Sequence, residues 1–201
     1  MLVLIKSKTM KINEIFYSVQ GEGFHAGTPA VFIRFSGCNL KCPFCDTNHF
    51  TGNEMSVSDI IEEITKYPAR LIIITGGEPS LFLTDELVNK LHDKGKYVSV
   101  ETNGTNKLPS SVDWVTLSPK DNFVKNAVPV NQRYDEVKVV FDGNQNVDKY
   151  LSIPAKQYYL QPCDTGNETL NKEIINKTLE HCMKEGKWRI SIQIHKILNV
   201  R

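Results

Sequence analysis

An α/β fold arranged as an incomplete, open barrel is predicted by three observations on this sequence. Apolar strand-like runs alternate with segments of helical periodicity, the pattern of β–α–β units on a mostly parallel sheet. Residues 71–74, Leu-Ile-Ile-Ile, form a continuous aliphatic run, as expected of a strand buried on both faces. Convincing helices number about three, fewer than the strands, and the 201 residues fall short of the roughly 250 of a complete eight-fold barrel.

In chain order, residues 11–23 begin apolar and end in Gln20-Gly21-Glu22-Gly23, two glycines bracketing an acid, a turn that lets backbone approach a ligand. Residues 29–35 read as a strand with Arg34 near its end, followed by Gly37 and a cysteine loop. Ser56 to Asp59 is a capping-box pattern, and Val57, Ile60, Ile61 and Ile64 recur at helical spacing; Pro68 stops this helix at Tyr67. The aliphatic strand 71–74 delivers Thr75-Gly76-Gly77-Glu78-Pro79. A second helix covers 84–94 and closes at Gly95. Strands follow at 97–101, 114–117, 136–141 and 157–160, with 121–133 an aperiodic loop. The last helix spans 168–184, with Leu170, Ile174, Leu179 and Cys182 on or near one face, and stops at Gly186. Trp188, Ile190, Ile192 and Ile194 alternate with polar residues and predict a half-buried terminal strand.

Composition is that of one domain over 1–201 with a sizeable core: 40% hydrophobic and 23% charged. Residues 1–10 read as an N-terminal extension, because Met10 itself suits a start, and the apolar run before Lys6 is too short for a signal-peptide core. With net charge +1 and pI near 7.6, neither nucleic acid nor a membrane surface is expected as a partner. Five cysteines, an odd number and clustered, favour metal binding over disulfides and a cytoplasmic location.

Three of those cysteines, Cys38, Cys42 and Cys45, fall within eight residues. Thiolates are soft ligands suited to zinc, copper(I) or iron–sulfur clusters. A structural zinc site needs four protein ligands, whereas a [4Fe–4S] cluster held by three thiolates leaves one iron open. The unusual polar segments all follow predicted strands: 37–47, 75–79, 101–104, 118–120 and 161–164. In parallel α/β architectures that rim is where ligand sites are built.

The Cys38-x3-Cys42-x2-Cys45 spacing, with Thr75-Gly76-Gly77-Glu78-Pro79 after the next buried strand, resembles the radical S-adenosylmethionine (SAM) superfamily. The resemblance implies a (β/α)6-type radical SAM partial barrel. It also implies that the open iron is chelated by the amino and carboxylate groups of SAM. An electron from the cluster then cleaves the sulfonium to methionine and a 5′-deoxyadenosyl radical.

From Lys11 onward the chain is similar to the 7-carboxy-7-deazaguanine synthase family of queuosine and deazapurine biosynthesis. The carriers of this resemblance are Val19-Gln20-Gly21-Glu22-Gly23, Phe32 with Arg34 and Gly37-Cys38, Cys45-Asp46-Thr47, Glu101-Thr102-Asn103-Gly104, Ser118-Pro119-Lys120, and Gln193 with His195-Lys196. It implies conversion of 6-carboxy-5,6,7,8-tetrahydropterin to 7-carboxy-7-deazaguanine with loss of ammonia, using the cluster, SAM and Mg2+. Residue by residue, it assigns Cys38, Cys42 and Cys45 to the cluster and Thr47 to Mg2+. SAM contacts would come from Phe44, Asp46, Gly77, Glu78, Ser118, Pro119, Lys120, Gln161, Pro162, Cys163 and Asp164. Substrate contacts would come from Val19, Gln20, Gly21, Arg34, Thr75, Glu101, His195 and Arg201, with Arg34 suited to the carboxylate. The family further implies a homodimer and an electron donor such as flavodoxin or ferredoxin.

Plainer readings accompany these. Cys182 suits a helix core and Cys163 a loop, neither binding metal. Arg34 suits a salt bridge, His195 an edge strand, and Glu101 a buried partner of Lys120 or Arg34. Two other functions share the cysteine triad: a small glycyl-radical activating enzyme acting on a partner protein, and a non-enzymatic metal-binding module.

Overall fold

The computed structural model describes residues 9–45 and 47–201. Its frame is a single nine-stranded sheet made of β1 (Met10–Val19), β2 (Pro29–Phe35), β3 (Asn53–Met55), β4 (Leu71–Gly76), β5 (Tyr97–Thr102), β6 (Trp114–Leu117), β7 (Glu136–Phe141), β8 (Gln157–Pro162) and β9 (Arg189–Ile190). The spatial order is β3-β1-β2-β4-β5-β6-β7-β8-β9. From β2 through β9 every pairing is parallel, and β1 pairs antiparallel with both β2 and β3. The helices are α1 (Val57–Thr65), α2 (Asp85–Asp93), α3 (Glu168–Glu185) and the short α4 (Ile194–Leu198).

Alternation within the strands builds two separate interiors. In β4, Ile72 and Ile74 join the large core under the helices, whereas Leu71 and Ile73 join Phe16, Ala30 and Phe32 in a smaller cluster on the other face. That is the two-faced burial expected of the aliphatic run. The same alternation sends Val98, Val100, Val115, Leu117, Val137 and Val139 to the large core. It leaves Ser99, Glu101, Thr116, Glu136 and Lys138 on the opposite, concave face. Among the described residues no α-helix connects β5 to β6 or β6 to β7; Val112 and Tyr134 from those connections, with Val147 and Tyr150 from the segment after β7, join the large core.

The capping box of α1 forms as its sequence requires: Ser56 Oγ accepts from Asp59 N, and the Asp59 carboxylate accepts from Ser56 N. The helix ends at Thr65, two residues before Tyr67. Gly186, at φ 64°, closes α3. The buried positions of α3 are Ile174 and Thr178, with Cys182 packed against the core; Leu170 and Leu179 lie more than 40% exposed, contrary to the face the sequence predicts.

Two further expectations are corrected and one is refined. Met10 belongs to β1, buried and paired with Met55 of β3, a strand the sequence does not announce; residues 1–8 of the expected extension lie outside the described residues. Cys163 does follow the end of β8 as a loop residue, but it is buried there and its N–H donates to Phe141 O. The predicted terminal strand is only two residues long and is followed by α4. Its polar positions are recruited elsewhere: Ser191 Oγ accepts from Gly23 N, Gln193 Nε2 donates to Glu22 Oε1 at 2.7 Å, and Ile194 N donates to Gly21 O. These bonds bend the chain off the sheet edge and onto the loop after β1.

Candidate active site

The concave face encloses a cavity of about 890 Å³. Of the residues assigned above to the cluster, Mg2+, SAM and substrate, all except Pro119 and Asp46 line it; Pro119 is buried, and Asp46 lies outside the described residues.

The cysteine loop leaves β2 through Gly37, at φ 92°. Cys38, Cys42 and Cys45 are free thiols on one wall of the cavity, Cys45 the exposed one. Burial pushes the Cys38 and Cys42 thiols up. Among the described residues, no three His, Cys, Asp or Glu side chains converge as a single metal ion demands. A multi-iron cluster instead takes each thiolate at a different iron, so the donor set fits that group better than a lone zinc ion.

Two braces hold this loop. Gly77 N donates to Phe35 O at 3.0 Å and Glu78 N to Gly37 O at 2.9 Å, laying the segment after β4 directly on the root of the loop. A Cβ on Gly77 would stand 1.9 Å from Gly37 O, so only glycine permits this approach. Asn103 Nδ2 donates to Asn39 Oδ1 at 3.0 Å, while Asn39 Nδ2 reaches Thr105 Oγ1 at 2.8 Å. The buried Glu78 carboxylate accepts from Ser80 N, Thr102 Oγ1 and Asn103 N, at 3.0, 2.6 and 2.7 Å. Glu78 therefore ties the loops after β4 and β5 together, with both oxygens engaged. Phe44 packs edge-on against Phe123 from the aperiodic loop.

Opposite the thiols stands a polar network. Lys138 of β7 is 5% exposed and bonds Glu22, and its Nζ lies 3.2 Å from Glu101 Oε1. Glu101 also accepts from Gln20 Nε2 at 3.1 Å and from Thr75 Oγ1 at 3.2 Å. Glu22 accepts from Gln161 Nε2 at 3.1 Å. Burial alone would raise the Glu22 carboxyl, but the charge and hydrogen bond of Lys138 outweigh it and hold it at about 2. Lys138 is itself held above the usual lysine range: desolvation opposes its charge, and Glu101, Glu22 and Glu136 overcome that. The partner of Glu101 is thus Lys138, not Lys120 or Arg34. Lys120 donates to Ser118 O and Oγ at 2.6 Å each, and desolvation pushes it below its usual range.

At the third side, Arg34 Nε donates to Glu14 Oε1 at 2.9 Å, and Nη1 lies 3.5 Å from Thr47 Oγ1. Arg201 bonds the other oxygen of Glu14, its guanidinium 5.0 Å from the Phe16 ring centroid. His195 packs on Gly21, where a Cβ would meet its Nδ1 at 2.0 Å. Asp164 joins Lys196 at 2.5 Å and accepts from Gly166 N and Asn171 Nδ2, which together hold its carboxyl well below the ordinary range. His195 is therefore a cavity residue at the start of α4, not an edge-strand side chain.

Lys138 and the Asn39–Asn103 brace escape a motif search. The signal for Lys138 is present nonetheless: Glu136 and Lys138 are two charges on one face of an otherwise apolar strand, which water alone does not explain in a buried sheet.

Comparison with known proteins follows the same lines. The radical SAM superfamily model matches residues 32–151. The 7-carboxy-7-deazaguanine synthase of Bacteroides thetaiotaomicron is 54% identical over 191 residues, covering 95% of this chain and 98% of that protein. The synthase of the same name from Haemophilus influenzae is 37% identical, covering 94% and 93% of the two chains. Among solved structures, QueE from Escherichia coli superposes with a TM-score of 0.73 at 28% identity, over 92% of this chain and 94% of that one. Streptococcus suis SuiB shares the fold alone, with a TM-score of 0.51 at 15% identity.

Proposed function

The chain belongs to the 7-carboxy-7-deazaguanine synthases of the radical SAM superfamily, and from that premise we propose how its own residues divide the work of converting 6-carboxy-5,6,7,8-tetrahydropterin to 7-carboxy-7-deazaguanine. When bound, the [4Fe–4S] cluster and SAM supply the carbon-centred radical that starts the ring contraction. Cys38, Cys42 and Cys45 hold the cluster. Phe44, Asp46, Gly77, Ser118, Pro119, Lys120 and residues 161–164 form the SAM pocket, with Glu78 fixing the wall in which Gly77 sits.

The pterin lies against the opposite wall. Val19, Gln20 and Gly21 meet its ring edge, with Thr75, Glu101 and His195 as further contacts. Arg34 binds the carboxylate. Arg34 Nη1 stands 3.5 Å from Thr47 Oγ1, and Thr47, a hard oxygen donor, would hold the Mg2+ ion beside the substrate carboxylate. Arg201, bonded to the same Glu14 as Arg34, borders this end of the pocket. The observation that carries the reading is that the thiol loop, Arg34 and the carboxylate–amide network line a single cavity.

The reading further includes a single catalytic domain, a cytoplasmic location, and a one-electron donor such as flavodoxin or ferredoxin. It also includes a homodimer, which would cover exposed apolar side chains such as Met183, Ile197 and Leu198. No described helix is long and apolar enough to cross a membrane.

The test is anaerobic turnover by the reconstituted enzyme with carboxytetrahydropterin, SAM, Mg2+ and dithionite, the product identified by mass. Expected is 7-carboxy-7-deazaguanine together with 5′-deoxyadenosine. Deoxyadenosine with no deazaguanine under these conditions would reject the substrate assignment in favour of a radical enzyme acting elsewhere.

A further inference from the structure

The segment after β9 is fastened to two parts of the cavity that take different ligands. On one side, Lys196 Nζ bonds Asp164 Oδ2 at 2.5 Å, at the end of the SAM segment 161–164. Gly166 N and Asn171 Nδ2 donate to the other Asp164 oxygen at 3.0 and 2.8 Å, so that carboxylate is held by its own loop and by α3 as well. On the other side, Gln193 Nε2 donates to Glu22 Oε1 at 2.7 Å, and Ile194 N donates to Gly21 O at 3.1 Å. The His195 ring covers Gly21 where a side chain would stand. Residues 193–196 thus hold both the SAM segment and the substrate loop 20–23. The short helix α4 that carries most of them buries none of its own residues, and Ile197 and Leu198 are 72% and 58% exposed. Its position is set by these polar ties rather than by core packing, so a shift at one tie is passed to the other.

We propose that Lys196 is a positioning residue that makes SAM and pterin binding cooperative, carrying order from Asp164 through α4 to Gly21 and Glu22. The inference rests on the assignment made above of SAM to residues 161–164 and of the pterin to residues 19–21. A ligand seated on 161–164 fixes Asp164, which fixes Lys196 and with it the turn that holds Gly21 and Glu22. The pterin then meets a loop that is already ordered and loses less conformational freedom on binding. By linkage, the pterin tightens SAM by the same factor. Exposure sets the magnitude: the Lys196 and Asp164 side chains are 43% and 42% exposed. Exposed ion pairs contribute little, so a coupling of about fivefold, the low end of the usual range, is expected. Gln161 Nε2 also donates to Glu22 Oε1 at 3.1 Å, a direct tie between the same two segments. Losing Lys196 therefore weakens the coupling without abolishing it.

The experiment uses reconstituted holoenzyme with no reductant, so that SAM and carboxytetrahydropterin bind together without reacting. Anaerobic calorimetry gives the Kd of each ligand alone and with the other saturating. The proteins compared are wild type, Lys196→Met, Lys196→Arg and a control, Lys172→Met, whose lysine pairs with Glu168 on the exposed side of α3. Expected is a mutual tightening of about fivefold in wild type, the arginine variant and the control, and of about twofold or less in Lys196→Met. Damage that merely loosened one site would raise its Kd and leave that ratio unchanged. Equal tightening in Lys196→Met and wild type, or none in wild type, would overturn the proposal. Amide hydrogen exchange gives a second readout that needs no pterin: SAM alone should slow exchange at residues 20–23 in wild type and do so markedly less in Lys196→Met. Failure of carboxytetrahydropterin to bind wild type would count against the substrate assigned above. The exchange readout would then decide the proposal, which falls if SAM leaves residues 20–23 unchanged in wild type.

Discussion

Gly77 shows how one atom can govern a cofactor site. A methyl group there would meet Gly37 O at 1.9 Å and Cys38 N at 3.0 Å, both backbone atoms that cannot swing aside. Gly77→Ala is therefore expected to push the segment after β4 off the cysteine loop and displace Cys38. Iron and sulfide content after reconstitution should drop by half or more while the circular dichroism spectrum keeps its native shape. Thr47 makes a smaller claim. Thr47→Ala removes one oxygen donor from a Mg2+ ion that keeps waters and substrate oxygens, so the Mg2+ concentration for half-maximal turnover should rise several-fold with little change at saturation. An unchanged titration would remove Thr47 from the metal.

At the scale of elements, the rim works because loops are tied to each other and not only to their strands. Glu78 links the ends of β4 and β5 through two of its three hydrogen bonds, accepting from Thr102 Oγ1, a residue 2% exposed, and from Asn103 N, while the third, from Ser80 N, holds its own loop. Glu78→Gln keeps the shape but removes the charge and one acceptor oxygen, leaving a donor facing donors. Hydrogen bonds to charged groups contribute about 1.5–3 kcal/mol each, so a loss of about 2 kcal/mol in denaturant-induced unfolding is expected, with weaker cluster retention. The α4 segment obeys the same logic: Gly21 accepts both the His195 ring against its missing side chain and the Ile194 N–H at its carbonyl. Alternating hydrophobicity over 188–194 pointed to a strand, but hydrogen bonds to the loop after β1 took precedence over sheet extension.

For the molecule as a whole, the network around Lys138 closes what the sheet leaves open. Glu22 stands in the loop after β1, Glu101 on β5, Lys138 on β7, Gln161 on β8, and Gln193 just before α4, so one ammonium group gathers segments from both halves of the sheet. Glu136, the His195 ring and Lys120 face the same interior and modulate it. Removing one member of such a buried pair typically costs about 3–5 kcal/mol, and that loss is expected for Lys138→Met in chemical denaturation at pH 7. The acid dependence follows from the lowered Glu22 carboxyl. Its folded value of about 2 lies below the ordinary 4.5, so its contribution is complete above pH 4.5 and disappears as pH falls toward 2. The stability of wild type should therefore fall more steeply than that of Lys138→Met across that window. Parallel curves for the two proteins would show that Lys138 does not hold the glutamate ionised.

The sequence by itself determined the chemistry-bearing loops and most of the strands in their succession along the chain. Thiols spaced 38, 42 and 45, glycines at 76 and 77 and the aliphatic run at 71–74 are local signals, legible because spacing and alternation act over a few residues. Only the tertiary structure decided which side chains confront one another across the cavity. Lys138 meets Glu22 across 116 positions of chain, and Arg201 reaches Glu14, the partner of Arg34, across 187. Such pairs depend on sheet order and curvature, which no local pattern encodes. Burial then converts them from ordinary charged residues into a network, because inside a low-dielectric cavity a charge persists only where its partners are within reach.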